Sequence, residues 1–317
     1  MQHIPVALDR CIALLAPSIE RAISEKGSAV VIDATLGLAG HTSELLARYE
    51  ELTVIGFDRD LAAIAIAQER LAKFGDRAVV VHAIYDQIST VLEDLGYNYV
   101  DGILFDLGVS SMQLDEADRG FAYSQDAPLD MRMDQSQGLS AFEILMTYDR
   151  NALVRILRAY GDEKFAPRIV DRIIEARSAG TLNSTKVLAD IVKESIPAPA
   201  RRTGGNPAKR TFQALRIEVN KELEVLSRAI PAALEAITIS GRVVVMSYQS
   251  LEDKIVKAEF ARVCKSGTPL GLPIDLPNSA AKYRLVITGS EAASDSEIES
   301  NPRAQSMRLR AVERLAA

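Results

Sequence analysis

The chain has 317 residues, 48% of them apolar and 25% charged, with a formal net charge of −6. That length holds one large or two ordinary domains with buried cores, and the acidic balance argues against a generally basic nucleic-acid binder, although the distribution of charge matters more than its sum. Two distant cysteines (Cys11, Cys264), histidines in no motif (His3, His41, His82), no leader-like amino terminus and no apolar run near the roughly 18 residues of a membrane span lead us to expect a reduced, cytoplasmic setting, no structural metal and no membrane partner.

An apolar-rich lead-in from His3 to Glu20 carries Val6, Leu8, Ile12, Leu14 and Leu15 mostly at helical spacing. The stretch from Ala29 to His41 then reads as a short buried strand ending on Asp33, a turn with glycines at 37 and 40, and a helix start at Thr42. A dinucleotide fingerprint needs glycine at the first loop position so that a helix N-terminus meets a pyrophosphate, but Thr35 stands there. Asp33, at the head of the loop, repels phosphate and suits an ammonium group. S-adenosylmethionine, an amino acid joined to a nucleoside with no phosphate, meets both conditions; from the loop alone, a corner with no ligand is the alternative.

Leu52 to Asp58 makes a second strand, and an acid at its tip is where a ribose diol is gripped, because a carboxylate accepts from both hydroxyls; otherwise Asp58 caps the helix beginning near Leu61. That helix runs to Phe74. A third strand and its exit span Ala78 to Asp86, with Tyr85 placed to lie on an adenine face and His82 read as a hydrogen-bonded core residue. Val100 to Asp106 is the fourth strand. Asp33, Asp58 and Asp106 therefore converge on the edge of a parallel sheet where ligands bind.

Residues 107–134 lack a period and read as a long ordered loop, of the kind that is usually functional. Helical patterns follow: one opened by the capping box Ser140-x-x-Glu143, one on Leu153, Ile156 and Leu157 ended by Gly161, one on Phe165, Ile169, Ile173 and Ile174, and one on Val187, Leu188, Ile191 and Val192 stopped by Pro197. Between Ser195 and Ile217 stand Arg201, Arg202, Lys209, Arg210 and Arg216 with no acidic residue, which suits a polyanion backbone or else a solvated loop. One long helix is expected next, with Leu215, Val219, Leu223, Leu226 and Ile230 on a stripe. Gly241 to Ser247 is strand five, with Tyr248 to Asp253 as its exit, and Lys282–Thr288 and Met307–Glu313 close the sheet as a hairpin-like edge. The expected fold is α/β: a nucleotide-binding-type sheet domain in two parts, 1–113 and 214–317, around an inserted helical domain, 114–213.

Asp33-Ala34-Thr35-Leu36-Gly37 with Gly40-His41, Asp106 to Ser111, Arg119-Gly120-Phe121, Leu129 to Asp134, Arg210 to Ile217, Ser250-Leu251-Glu252-Asp253 and Asn301-Pro302-Arg303 stand in an order, over nearly the whole chain, that resembles the MraW/RsmH family. The resemblance implies a Rossmann-like class I S-adenosylmethionine-dependent methyltransferase, with a helical insertion, that modifies N4 of a cytidine in the decoding region of bacterial 16S rRNA. Its partner is that rRNA in the small subunit or an assembly intermediate, and the protein is a monomer or homodimer. The resemblance places cofactor contacts on Ala39, Gly40, His41, Asp58, Tyr85, Asp106 and Gln113, beside Asp33 and Gly37 of the loop. The chain departs from the family pattern at Ala39 (commonly Gly), Tyr85 (Phe), Asn206 (His) and Gln249 (His), so no histidine base is assigned at 206 or 249.

Cytosine's exocyclic nitrogen shares its lone pair with the ring, so attack needs an oxygen that holds an N–H. Asp106, or a backbone carbonyl of its loop with Ser110 or Ser111 nearby, is expected to accept from the amine, while Phe121, Tyr123 or Phe212 stacks on an extruded base. Asp106 serving the cofactor only is the alternative. Arg132, Lys209, Arg210, Phe212 and Arg216 are expected on the RNA. A protein or small-molecule methyltransferase, a ribosome-assembly factor with a dead nucleotide fold, and a nicotinamide oxidoreductase are the competing readings.

Overall fold

The strands are β1 (Ala29–Asp33), β2 (Leu52–Asp58), β3 (Ala78–His82), β4 (Val100–Asp106), β5 (Ile237–Ser247), β6 (Tyr283–Leu285) and β7 (Arg308–Arg314). They form a single sheet in the order β3-β2-β1-β4-β5-β7-β6, in which β1 to β5 run parallel while β7 is antiparallel to both β5 and β6. The computed structural model describes residues 5–200, 206–267 and 279–316. Arg201 and Arg202 of the basic run lie outside the described residues.

The chain divides into two units, Met1–Gly108 with Leu223–Ala317, and Val109–Glu222. In the first, the central strands are buried on both faces, which is why they read as near-continuous apolar runs. Val31, Val54, Leu104 and Val244 point to one core with α1 (Leu8–Lys26), α2 (Gly40–Arg48) and α3 (Leu61–Leu71). Ile32, Ile55, Ile103 and Val245 point to the other with α4 (Ile88–Asp94). Full burial of each such side chain contributes about 1.5–3 kcal/mol. The strand order reverses between β1 and β4, so the crevice for a ligand opens at their carboxyl ends.

The second unit is helical: α5 (Ser111–Asp115), α6 (Ala141–Thr147), α7 (Arg150–Gly161), α8 (Ala166–Ser178), α9 (Thr185–Ser195) and α10 (Lys209–Asn220). Ser140 caps α6 as its capping box implies, accepting from Glu143 N while the Glu143 carboxylate accepts from Ser140 N. Leu153, Ile156, Ile169, Ile173, Leu188 and Val192 fill one core. The first unit is completed by α11 (Glu222–Ala236) and α12 (Ser250–Val263), which cover the second sheet face, and by α13 (Asp295–Ser300).

Several expectations change. The long helix is two, α10 and α11, broken where Lys221 takes a left-handed φ of 51°. Beside the break, the buried Asn220 side chain accepts from Met133 N and donates to Met131 O, which fixes the chain there. Leu215 thus serves the helical core and Leu226 and Ile230 the sheet core, so one stripe is split between two units. Residues 107–134 are not one loop: they contain α5 and a 3₁₀ turn at Ala117–Arg119. The strand expected over 282–288 is paired only at Tyr283–Leu285. His82 is exposed rather than in a core, because β3 is the sheet's edge; its ring lies 3.1 Å from Arg59 O. Among the described residues no helix is long and apolar enough to cross a membrane.

Candidate functional site

Asp33, Asp58 and Asp106 are the last residues of β1, β2 and β4, and the parallel register (Asp33 opposite Gly56 and Leu104) brings them to one rim. Their surroundings differ. Asp33 is 1% exposed, and its carboxylate accepts from the Thr42 hydroxyl at 2.7 Å and from Thr35 N at 3.4 Å. Burial pushes its carboxyl above the usual range, against the opposing influence of His41 and those hydrogen bonds. The carboxylate expected to meet an ammonium is thus held by Thr42 and by the loop that starts at Thr35.

Asp58 accepts from Gly37 N at 2.7 Å and from Asp60 N at 2.8 Å. Burial pushes its carboxyl up to about 6, partly offset by those two backbone donors. The helix cap is Asp60, not Asp58: Asp60 accepts from Ala62 N at the start of α3. Asp58 is therefore released from capping, while its carboxylate fixes the glycine turn.

The turn itself is tightly specified. Gly37 (φ 50°) and Ala39 (φ 58°) are both left-handed, so alanine at 39 accepts a conformation that glycine adopts without strain. A Cβ on Gly40 would stand 2.3 Å from Pro5 Cγ, which no side chain tolerates. The buried His41 ring lies 3.1 Å from Val6 O, so the segment before α1 is clasped to the turn. Thr35, where a dinucleotide loop has glycine, accepts from Asp106 N at 2.6 Å and ties the turn to β4. Asp106 in turn accepts at Oδ1 from the Tyr248 hydroxyl at 2.7 Å. Tyr85 sets its ring edge-on to Phe105, with centroids 5.8 Å apart.

A family model described as the MraW methylase family matches residues 1–315. The chain belongs to the MraW methylase family. A ribosomal RNA small subunit methyltransferase H of Salinispora arenicola is 55% identical over 313 residues, covering 99% of this chain and 83% of that protein. Another of the same name, from Mycolicibacterium smegmatis, is 55% identical over 313 residues, covering 99% and 84%. Among solved structures, an rRNA methylase from Streptococcus thermophilus is similar with a TM-score of 0.44 and 11% identity, covering 99% of each chain. The parallel sheet with its inserted antiparallel β7 is the Rossmann-like class I methyltransferase arrangement.

The remaining residues expected at the methylase's site fall in the helical unit. Ser110 and Gln113 form the cap of α5, Gln113 N donating to Ser110 Oγ and Ser110 N to Gln113 Oε1; Ser111 is the helix's first residue. Arg132 is held bidentate by Asp130 (2.8 and 2.9 Å) and Arg216 by Glu222 (2.8 and 2.9 Å). Lys209 and Arg210 are exposed at the start of α10, Arg210 donating to Asp162 O at 3.1 Å. Phe121 and Phe212 are buried, whereas Tyr123, edge-on to Phe212 with centroids 5.8 Å apart, is half-buried. Thr42 and Tyr248 join the rim without having been expected there, Tyr248 signalled only by its place at the exit of a strand ending on the ligand edge; Thr35 stood out in sequence for replacing a glycine, but not for its bond to Asp106 N.

Proposed function

We propose that this methylase transfers a methyl group from S-adenosylmethionine to N4 of a cytidine in the decoding region of bacterial 16S rRNA, acting on the small subunit or an assembly intermediate. The observation that carries the reading is the rim, where three strands of a MraW-family chain end on Asp33, Asp58 and Asp106 and the first turn has threonine in place of a phosphate-binding glycine. The relatives' name, a small-subunit ribosomal RNA methyltransferase, supports the substrate class.

The residues fit the cofactor. Asp58 offers the ribose a carboxylate, Gly37, Ala39, Gly40 and His41 shape the turn beside it, and Tyr85 offers a ring face for the adenine. When bound, S-adenosylmethionine supplies an activated methyl on a sulfonium leaving group, so the protein's task is alignment and exclusion of water. Asp106 accepts an N–H of the cytosine amine and lets the nitrogen become tetrahedral as it attacks. The helical unit, assigned to residues 114–213 from sequence and to Val109–Glu222 as a compact unit, recognises the RNA. Lys209 and Arg210 hold phosphates there, and Tyr123, supported by the buried Phe212, offers the RNA an aromatic face. Arg132 and Arg216 reach phosphate only by dividing their guanidinium donors between it and the carboxylates of Asp130 and Glu222. Ser110, Ser111 and Gln113 order the segment following Asp106.

The test is to incubate the protein with labelled methyl donor and small subunits lacking the modification, digest the rRNA and identify the labelled nucleoside. N4-methylated cytidine is the expected product; label in protein, or in another nucleoside, overturns the reading.

A further inference from the structure

We propose that Tyr248 is a positioning residue for Asp106: its hydroxyl, donating to Oδ1 at 2.7 Å, fixes the orientation of the carboxylate at the end of β4 that accepts the amine's N–H. The inference rests on the reading of Asp106 given above and adds a residue that reading does not use.

Two strands and a helix cap build the arrangement. β4 and β5 are parallel with Asp106 opposite Met246, and Leu107 N donates to Met246 O, so Tyr248 leaves β5 at the level of the carboxylate. The Tyr248 backbone N–H donates to Glu252 Oε2 at 3.0 Å and that of Gln249 to the same atom at 3.2 Å. Glu252 is 2% exposed and belongs to the capping box of α12, so the backbone from which the tyrosine projects is tied to the helix start. On the ring's other flank lies Gly108, whose Cβ would stand 3.7 Å from Tyr248 Cδ2 and whose φ of 107° disfavours any side chain.

The direction of the hydrogen bond follows from the surroundings. Asp106 on β4, Cys11 on α1 and Glu252 on α12 are the titratable groups that face the phenol. Burial first, and then the negative charge of Asp106, hold the phenol far above its ordinary range. It is therefore a donor at every working pH, and Asp106 the acceptor. A carboxylate that accepts such a bond is a weaker base and stays ionised to lower pH. Its rotamer is set before the amine arrives, which is the condition for efficient positioning.

The experiment measures single-turnover methyl transfer at saturating cofactor against pH, in the wild type, Tyr248→Phe, Asp106→Asn and the double variant, with the dissociation constant for S-adenosylhomocysteine as a folding and binding control. Tyr248→Phe is expected to slow transfer about tenfold and to move the acid limb up by about one pH unit, the size of one hydrogen bond to a charged group. Its cofactor affinity is expected to stay within about twofold of wild type, since the change acts through the carboxylate. In the Asp106→Asn background the second substitution should change nothing further. Fluorotyrosine at 248 keeps the shape and is a stronger donor, so it should move the limb downward and serves if Tyr248→Phe misfolds. An unmoved limb in both substitutions, or losses that add in the double variant, overturns the inference. A wild-type protein that transfers no methyl to cytidine instead overturns the reading beneath it.

Discussion

The carboxyl of Asp58 should make cofactor affinity depend on pH. Its environment pushes it up to about 6, burial being the main cause and the charges of Asp60 and Asp33 adding to it. The ribose diol donates to this group, so only the ionised form binds well. Near pH 7.5 almost all of the free protein is ionised; at pH 5 about nine-tenths of it is protonated, and the dissociation constant should rise about tenfold, equivalent to about 1.4 kcal/mol. Titration calorimetry with S-adenosylhomocysteine from pH 7.5 to pH 5 measures this. Asp58→Asn supplies the control: it offers one oxygen to two backbone donors, Gly37 N and Asp60 N, and turns an amide N–H toward the other. The variant should bind about 10- to 100-fold more weakly at pH 7.5, the loss of charge-assisted hydrogen bonds, and should lose the pH dependence. Asp33 is unchanged in both proteins, so the flattening isolates Asp58. A wild-type constant that stays level to pH 5, or an asparagine variant that retains the rise, refutes the reasoning.

Thr42→Val removes the hydroxyl that Asp33 accepts from at 2.7 Å, raising further a carboxyl already raised by burial. It should cost about 1–3 kcal/mol in denaturant unfolding at pH 7, and the deficit should shrink as pH falls and the carboxyl is protonated in folded and unfolded chains alike. Ala39→Gly relieves a left-handed φ of 58° at a fully buried position. Relief of about 1–2 kcal/mol less about 0.4–1 kcal/mol of unfolded-chain entropy leaves a small gain, read as a rise in melting temperature of about one to two degrees for a chain of this length. Gly40→Ala places a methyl on Pro5 and should cost about 1–3 kcal/mol, with faster amide exchange around Val6. Lys209→Ala with Arg210→Ala should leave the melting temperature unchanged and reduce the slope of log affinity for rRNA against log salt by about 1.4–1.8, two phosphate contacts' worth.

What the sequence made legible is what local chemistry decides. A two-sided parallel sheet needs apolar runs, and each run ending on an acid announced both the strand and the rim, as at Ile103-Leu104-Phe105-Asp106. The capping box at Ser140 and the Pro197 stop fixed helix boundaries for the same reason. The break at Lys221 was not legible, because the apolar stripe continues in sequence while its two halves serve different cores; only the long-range hold of Asn220 on Met131 and Met133 reveals it. Asp60 as the true helix cap lies two residues from Asp58, and spacing does not separate a cap from a ligand carboxylate until the hydrogen bonds are seen. The pairings of Arg132 with Asp130 and of Arg216 with Glu222 were equally hidden, since a basic run suggests available charge whatever its partners. Tyr248 on Asp106 spans β4 and β5, elements distant in sequence, and no motif announces it.

The most direct measurement of the central claim is a crystal structure of the protein with S-adenosylhomocysteine. The ribose hydroxyls are expected on the Asp58 carboxylate and the nucleoside on the turn from Thr35 to His41, with Tyr85 against the adenine. A nucleoside bound elsewhere, or a ribose with no contact to Asp58, would contradict that claim.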